Sequence, residues 1–521
     1  DGSGEHGPDP AVFHGQQTGN RAARRSRHLV LEFRGALSGE HGDGLVRSPF
    51  MRKMYGPTLY DAFRTIKHTF DPHGIFNPGK IVDAPPLTQN LRYGAGYVTP
   101  DPTTHFDYSE YGGFGGAVEM CSGLGACRKK LSGTMCPSYM ATLEETHSTR
   151  GRANVLRTAM AGRLGEAGLG DHGVYETLDL CLECRACKAE CPVGVDMARF
   201  KSEFLADYWA RHGTAIDARL LGSVRTVATW GSRLAPLSNW LADAAPVRYL
   251  NERLLGIDRR RTLPKFERHT LAQRARPADD QCEAVLFNDT FTNYYDPAIG
   301  TAALDVIAAA GIRAGLAQHG CCGRPQISKG LLGEAAKLAA RNTDALYPHA
   351  AAGRPIVFCE PSCLSAIRED CPALLKGEAR QRAEAVAKAA VLFEEYARTL
   401  LPRLTLAQGP PHILLHGHCH QKSMGLVPPA KALLSKIPGT AVTELDSGCC
   451  GMAGSWGYAR DHFEISRAIG ERVLFPAVRA RTPETVVAAA GTSCRHQIHD
   501  FTGADAVHPA VLLQSLLVRD D

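Results

Sequence analysis

Cys321-Cys322-Gly323 returns as Cys449-Cys450-Gly451 about 130 residues later, and the segments around the two tripeptides follow one order. In the first copy Ala284 to Phe287 reads as a strand, Ala298 to Ala310 as a helix and Pro355 to Phe358 as a second strand. In the second copy the same alternation passes through His412 to Leu415, Ala430 to Leu434, Ala441 to Leu445 and Val486 to Ala490. Short apolar runs alternating with helical segments predict parallel α/β layers, and two copies predict an internal duplication. We assign residues 281–400 to the first Cys-Cys-Gly unit and 410–521 to the second. The first offers Cys321, Cys322, Cys359 and Cys363; the second offers Cys419, Cys449, Cys450 and Cys494. Most of these follow directly on predicted strands, where open α/β sheets place their ligands. Four thiolates per unit suffice for one metal centre.

The chain has 521 residues, enough for three or four domains, and its 44% hydrophobic and 22% charged content is that of globular protein. A net charge of +5 gives nucleic-acid binding no support. No apolar run is long enough for a transmembrane segment, and Asp1 to Asn20 lacks the apolar core of a signal peptide. Seventeen cysteines, clustered rather than spread, point to metal sites in a reducing compartment rather than to disulfides. A cytoplasmic location is therefore expected, with peripheral attachment to a membrane left open. Residues 1–28 are unassigned and expected to be disordered. Leu29 to Phe33 reads as a strand and Leu59 to Phe70 as a helix ended by Asp71-Pro72-His73-Gly74. Residues 84–117, rich in Pro and Gly, read as a linker, and 213–280 as a helical connection.

Between these lies Cys181-x2-Cys184-x2-Cys187-x3-Cys191-Pro192, within a helical segment at residues 118–212. Three such thiolates on a tight turn reach three corners of a cubane, and the Cys before Pro serves a second cluster in two-cluster ferredoxins. Cys136-Pro137 supplies the reciprocal ligand, so one 4Fe-4S cluster is expected on Cys136, Cys181, Cys184 and Cys187. The partner set, Cys121, Cys127 and Cys191, is broken. Leu124 stands at its expected middle position, and the run from Cys127 to Cys136 is too long. That site is expected to hold a three-iron cluster, to use a non-Cys ligand or to be empty. Structural zinc is the alternative for the whole region, although its motifs usually pair two Cys-x-x-Cys ends.

The Cys-Cys-Gly spacings resemble the cysteine-rich domain of heterodisulfide reductase and of the iron–sulfur subunits of glycolate oxidase and anaerobic glycerol-3-phosphate dehydrogenase. The complete pattern of that family has one more Cys per unit; here Thr290 or Phe291 takes the place that Cys419 has in the second copy, and Gln497 stands where Cys-x-x-Cys would end. Those departures count against a non-cubane centre and leave an ordinary four-cysteine one open. His418 and His420 are expected around the ligands or at the surface rather than among them, and Cys282 and Cys371 are expected as buried bystanders.

Toward the amino terminus, Glu40-His41 in a Gly-rich loop and Thr65-Ile66-Lys67-His68-Thr69-Phe70-Asp71-Pro72-His73-Gly74-Ile75-Phe76-Asn77-Pro78-Gly79-Lys80-Ile81 resemble the carboxy-terminal end of FAD-linked oxidases, the D-lactate, glycolate and D-2-hydroxyglutarate dehydrogenases among them. The resemblance covers residues 29–83. It implies that Glu40 ligates a divalent metal, zinc being one candidate, that His41 is the catalytic base, and that Asn77 and Lys80 lie beside the flavin. Most of the FAD site would lie upstream, on a part that is lost or on a separate FAD-binding chain. The expected fold is thus α/β and α: the end of an FAD-linked oxidase domain, a helical ferredoxin-type domain and a duplicated α/β Cys-Cys-Gly domain. The expected function is the electron-transfer portion of a flavin-dependent D-2-hydroxyacid dehydrogenase, taking a small 2-hydroxyacid and reducing a quinone, cytochrome or protein. An iron–sulfur subunit of glycerol-3-phosphate dehydrogenase or heterodisulfide reductase type, and a zinc-bound scaffold, are the alternatives.

Overall fold

The computed structural model describes residues 29–87, 89, 97, 99 and 102–518, so the segment 1–28 read as disordered lies outside the described residues. The chain divides into two compact units, Asp1–Pro100 and Asp101–Asp521.

In the smaller unit the helix Met51–Phe70 is interrupted at Gly56, whose φ of 76° breaks the first turns before Pro57 restarts them. It stops at Asp71, whose carboxylate accepts from the Ile75 and Phe76 amides at 2.8 and 2.9 Å and from Lys67 Nζ. Leu29–Glu32 is helical rather than the expected strand: the Phe33 amide donates to the Leu29 carbonyl at 3.0 Å. An isolated apolar run has no strand to pair with among the described residues of this unit, so local bonds satisfy its backbone.

The larger unit is built on two four-stranded parallel sheets. The first has β1 (Ala284–Leu286), β2 (Ala314–Leu316), β3 (Ile356–Phe358) and β4 (Ala390–Leu392); the second has β5 (His412–Leu415), β6 (Ala441–Glu444), β7 (Thr485–Ala488) and β8 (Ala506–Val507). Their orders, β2-β1-β3-β4 and β6-β5-β7-β8, are the same, which bears out the duplication. Strand alternation assigns each face. Ala284, Leu286 and Val357 of the first sheet and Ile413, Leu415 and Ala488 of the second share one core. The outer face of the first sheet, with Val285, Phe287, Ile356 and Phe358, joins the core of the ferredoxin-type segment; that of the second, with Leu414, Val487 and Ala489, has its own.

The ferredoxin-type segment folds around the helices Thr149–Met160 and Met197–His212, N-capped by Ser148 and Asp196. Phe106, Tyr108 and Phe114, from the stretch read as a linker, are buried in its core, where their rings and Phe200 meet edge-on or tilted. The Glu203 carboxylate holds this stretch in place by accepting from the His105 and Phe106 amides at 2.8 and 2.6 Å. Two clamps join the segment to the sheets. Buried Arg185 reaches Glu369 and Asp370 of the first copy, and Arg324 and Arg199 converge on the same Asp370. From the second copy Trp456 Nε1 donates to the Asp179 carbonyl at 2.9 Å while His462 Nε2 pairs with the Asp179 carboxylate at 2.6 Å. Residues 213–280 are helical over Ile216–Gly222, Val224–Arg233, Leu237–Asp243 and Ala245–Leu255. None of the helices among the described residues is long and apolar enough to cross a membrane.

Candidate metal centres

Cys136, Cys181, Cys184 and Cys187 line one pocket together with Arg152 and Met197. The Cys181–Cys187 loop curls inward because Glu183 and Arg185 adopt positive φ, 53° and 59°. Burial pushes the thiols of Cys181, Cys184 and Cys187 up, and neighbouring thiols add to this for Cys184. As thiolates they need a cationic partner. Arg152 supplies part of that charge: fully buried, it donates through Nη1 to Cys136 Sγ at 3.4 Å, through Nη2 to Ser138 at 2.9 Å and through Nε to the Thr177 carbonyl at 3.1 Å. Burial opposes its charge, but Cys136 and Cys181 outweigh that and hold its pKa above the usual.

The broken second set is looser. Cys127 is buried and accepts from the Arg150 amide at 3.3 Å; burial raises its pKa, and Cys136 and Cys121 add to the effect. Cys121 and Cys191 are only half-buried, and Leu124, at the position of the expected middle Cys, is 71% exposed.

The two Cys-Cys-Gly copies can be superposed hydrogen bond by hydrogen bond. The Phe287 amide donates to the Val357 carbonyl at 2.8 Å, and the His416 amide to the Ala488 carbonyl at 2.9 Å. From that register Thr290 corresponds to Cys419, Cys363 to Cys494 and Cys359 to Ala490. In the second copy the side chains of Cys419, Cys449, Cys450 and Cys494 neighbour one another in turn. Its neighbours draw the Cys450 thiol well down, Cys449 and Cys494 first, and Cys449 draws Cys419 down to about 7. In the first copy Cys321, Cys322 and Cys363 are similarly linked, and Thr290 Oγ1, buried, faces Cys321. Thr290, not Phe291, therefore fills the place of Cys419.

Cys359, expected with this set, stands apart. It follows Phe358 in the β3 alternation and so points into the core shared by the two sheets, while Cys321, Cys322 and Cys363 lie on the other side. Cys282 and Cys371 are buried outside both sets. His418 caps the helix Cys419–Ser423, and His420 Nδ1 meets Ser365 Oγ at 2.5 Å. In the smaller unit Glu40 and His41 pair with each other at 2.9 Å while more than three-quarters exposed, and Lys80 Nζ donates to Asn77 Oδ1.

Three stretches match known families: FAD linked oxidases, C-terminal domain, over residues 13–81; a 4Fe-4S dicluster domain over 117–195; and a cysteine-rich domain over 282–368. One subunit of the anaerobic glycerol-3-phosphate dehydrogenase of Escherichia coli is 31% identical over 311 residues, which is 57% of this chain and 75% of that protein. The chain belongs to that iron–sulfur protein family. D-2-hydroxyglutarate dehydrogenases resemble it over a longer span: that of Pseudomonas putida is 28% identical over 93% of this chain and that of Escherichia coli 27% over 94%. The chain spans about half the length of these dehydrogenases, 52% in each.

Within this iron–sulfur family member, the sequence reading missed two side chains. Arg152 carries no local signal, since only the fold brings it to Cys136. His416 had one: continuing the alternation of Leu414 beyond β5 puts it on the face of Cys450 and Cys494.

Proposed function

We propose that this chain is the electron-transfer part of a flavin-dependent D-2-hydroxyacid dehydrogenase, with D-2-hydroxyglutarate the first substrate to test. The observation that carries the reading is a buried four-cysteine pocket, charge-compensated by Arg152, in a chain whose amino-terminal stretch matches the FAD-linked oxidases. The ferredoxin thiols do not converge on a point as the ligands of a single ion do, and their inward-curled loop suits a larger group. A 4Fe-4S cluster held there takes up and releases single electrons. Cys136, Cys181, Cys184 and Cys187 would ligate it, and the Arg152 guanidinium favours the more negative, reduced state through its bond to Cys136. Cys121, Cys127 and Cys191 would serve a second, weaker site.

FAD supplies hydride acceptance. Toward it, His41 would take the substrate hydroxyl proton, Glu40 would hold a divalent metal, zinc being one candidate, and Asn77 and Lys80 would line the flavin side. Trp230, 58% exposed beside Arg233, and Trp240, 67% exposed, support peripheral contact with a membrane and hence a quinone as acceptor. A cytoplasmic location fits the reduced state of the thiols this reading requires.

Two measurements test this reading. Cys184→Ser should abolish the paramagnetic signal of the reduced protein, and Cys121→Ser should reduce it far less; equal losses would mean two equivalent clusters. Anaerobic addition of D-2-hydroxyglutarate to the native enzyme should bleach its visible absorption while glycerol 3-phosphate leaves it unchanged, and the opposite result assigns the chain to a glycerol-3-phosphate dehydrogenase.

A further inference from the structure

We propose that the loop between Cys121 and Cys136 is a docking surface for an acidic one-electron carrier protein, which exchanges electrons with the ferredoxin-type segment there. The inference rests on the electron-transfer reading and adds to it a protein partner besides the quinone. Of the seventeen cysteines only Cys121 and Cys191 are not fully buried. Electrons held on thiolate-ligated iron therefore come closest to solvent at this set, and a carrier protein has to approach it from outside.

The loop presents two leucines on a backbone that is held in place. Leu124, 71% exposed, stands between Gly123 and Gly125, whose φ values of 81° and 82° form the turn that carries it. Leu131, 88% exposed, is the most exposed large hydrophobic side chain among the described residues. Single exposed leucines are ordinary on a protein surface. These two differ in what lies beneath them. Arg150 Nη1 donates to the Gly123 carbonyl at 2.9 Å and the Arg150 amide to Cys127 Sγ at 3.3 Å. Further along, the Lys130 carbonyl accepts from Arg472 Nη2 at 2.8 Å, the Gly133 amide donates to Asp446 Oδ1 at 3.2 Å and the Thr134 amide to Glu190 Oε1 at 2.8 Å. A surface whose backbone is fixed before the partner arrives loses little conformational entropy on docking.

Charge selects the partner. Residues 122–135 contain Arg128, Lys129 and Lys130 and no acidic residue. Glu145 pairs with Arg128 and Arg150, and Glu190 pairs with Lys129. Four cations thus meet the two carboxylates paired with them, and the exposed Lys130 lies beside Leu131 in the chain. Brief electron-transfer contacts are small, and opposite charge steers them together. The carrier that fits has carboxylates around a small apolar patch. One electron crosses per encounter: the carrier loses one and the cluster gains it, or the reverse, and no bond is made or broken.

The test is stopped-flow mixing of the full chain, purified anaerobically, with two carriers of opposite charge. A reduced plant-type 2Fe-2S ferredoxin, which is acidic, should reduce the oxidised protein with a second-order rate constant that falls about tenfold from low to high salt. Lys130→Glu should lower that constant about tenfold at low salt and raise the rate at which the reduced protein reduces ferric cytochrome c, a basic carrier. Lys130→Arg should keep both rates. Leu131→Ser should slow ferredoxin and leave its salt dependence in place. Iron content and the Cys184-dependent paramagnetic signal should match wild type in every variant, which separates a lost dock from a lost cluster. With iron and signal intact, a ferredoxin rate indifferent to Lys130→Glu, or a change of the same sign with both carriers, overturns the docking proposal and leaves the electron-transfer reading standing. So does binding to anionic phospholipid vesicles that Lys130→Glu abolishes while the ferredoxin rate holds. A wild type without iron overturns both.

Discussion

The two Cys-Cys-Gly copies share strand order, register and the hydrogen bond at the exit of their central strands, yet only one collects a full set of donors. The second presents His416 and four thiols, with Cys419 drawn down to about 7 by Cys449 beside it. The first presents three thiols with Thr290, and there Cys363, drawn down by Cys322 but raised by burial and nearby carboxylates, ends up at about 12. What the first copy has instead is a buried carboxylate, Asp370, gripping three arginines of which two belong to the ferredoxin-type segment. A parallel α/β unit is held by its strands and core. Its edge can therefore carry a cluster of thiols in one copy and a docking carboxylate in the other with the backbone unchanged.

The largest effect should come from removing that dock. Asp370 is wholly buried, and Asp370→Ala would leave Arg185 and Arg324 without their shared counter-charge, at a cost of about 3–5 kcal/mol. The same carboxyl is held far below its ordinary value; burial works against ionisation, but Arg185, Arg324 and Arg199 prevail. Its contribution is therefore complete above the unfolded-state carboxylate pKa, near pH 4, and falls away as the pH drops toward the folded value. Urea unfolding of wild type between pH 6 and about 2 should show this loss, and Asp370→Ala should lack it. If Asp370→Ala proves neutral, the first copy is not the dock.

On the second copy the corresponding clamp is more exposed, and Trp456→Ala should cost somewhat less, about 3 kcal/mol. It removes a ring stacked on His462 at 4.3 Å and the bond to the Asp179 carbonyl. A larger loss here than at Asp370 would reverse the division of labour between the copies.

Glu394 sharpens the contrast from the other direction. By the registers of β4 and β8 it corresponds to Ala510 of the second copy, and both are wholly buried, Glu394 with neither carboxyl oxygen hydrogen-bonded. Burial pushes its carboxyl up to about 8. The folded chain then keeps a proton that the unfolded chain releases above the ordinary glutamate value, so stability falls as the pH rises through this window and the loss is complete above the folded pKa. Glu394→Gln should be more stable than wild type at pH 9 by about 2 kcal/mol, and the gain should vanish below about pH 4. A gain that does not depend on pH would place its origin in packing.

Much of this was legible in the sequence because it rests on local spacing. Cys181 to Cys191 lie on one loop, and the runs at Ala284, Ile356, His412 and Val486 each fill a strand. What failed depended on which way a side chain faces or on a distant partner. Cys359 sits four residues from Cys363, but the strand it ends on turns it to the opposite face. Leu29 to Phe33 has the composition of a strand and, among the described residues of its unit, no strand to pair with. Phe106 and Tyr108 sit in a Pro-rich stretch and are buried because Glu203, far along the chain, fixes the backbone beside them. His416 was passed over for His418 and His420, the neighbours of Cys419, because adjacency in sequence is a weaker guide than the two-residue period of the strand before it.

The smallest effect should follow from making the first copy resemble the second at the one cysteine that has no counterpart. Cys359 corresponds to Ala490; both are 2% exposed, and the Cys359 thiol is pushed up by burial and by Asp289. Its carbonyl, which accepts from His508 Nε2 at 3.0 Å, is unaffected by a change of side chain. Cys359→Ala therefore removes one sulfur from a packed core and no ligand, at a cost of about 1 kcal/mol. The metal content should equal that of wild type, and the paramagnetic signal should keep its shape. Cys363→Ala makes the same chemical change four residues on, on the opposite face of the sheet, and there it breaks the linked trio of Cys321, Cys322 and Cys363. If Cys359→Ala instead lowers the metal content, the first copy gathers its thiols from both faces of its sheet, and its difference from the second is one of ligand geometry rather than of missing ligands.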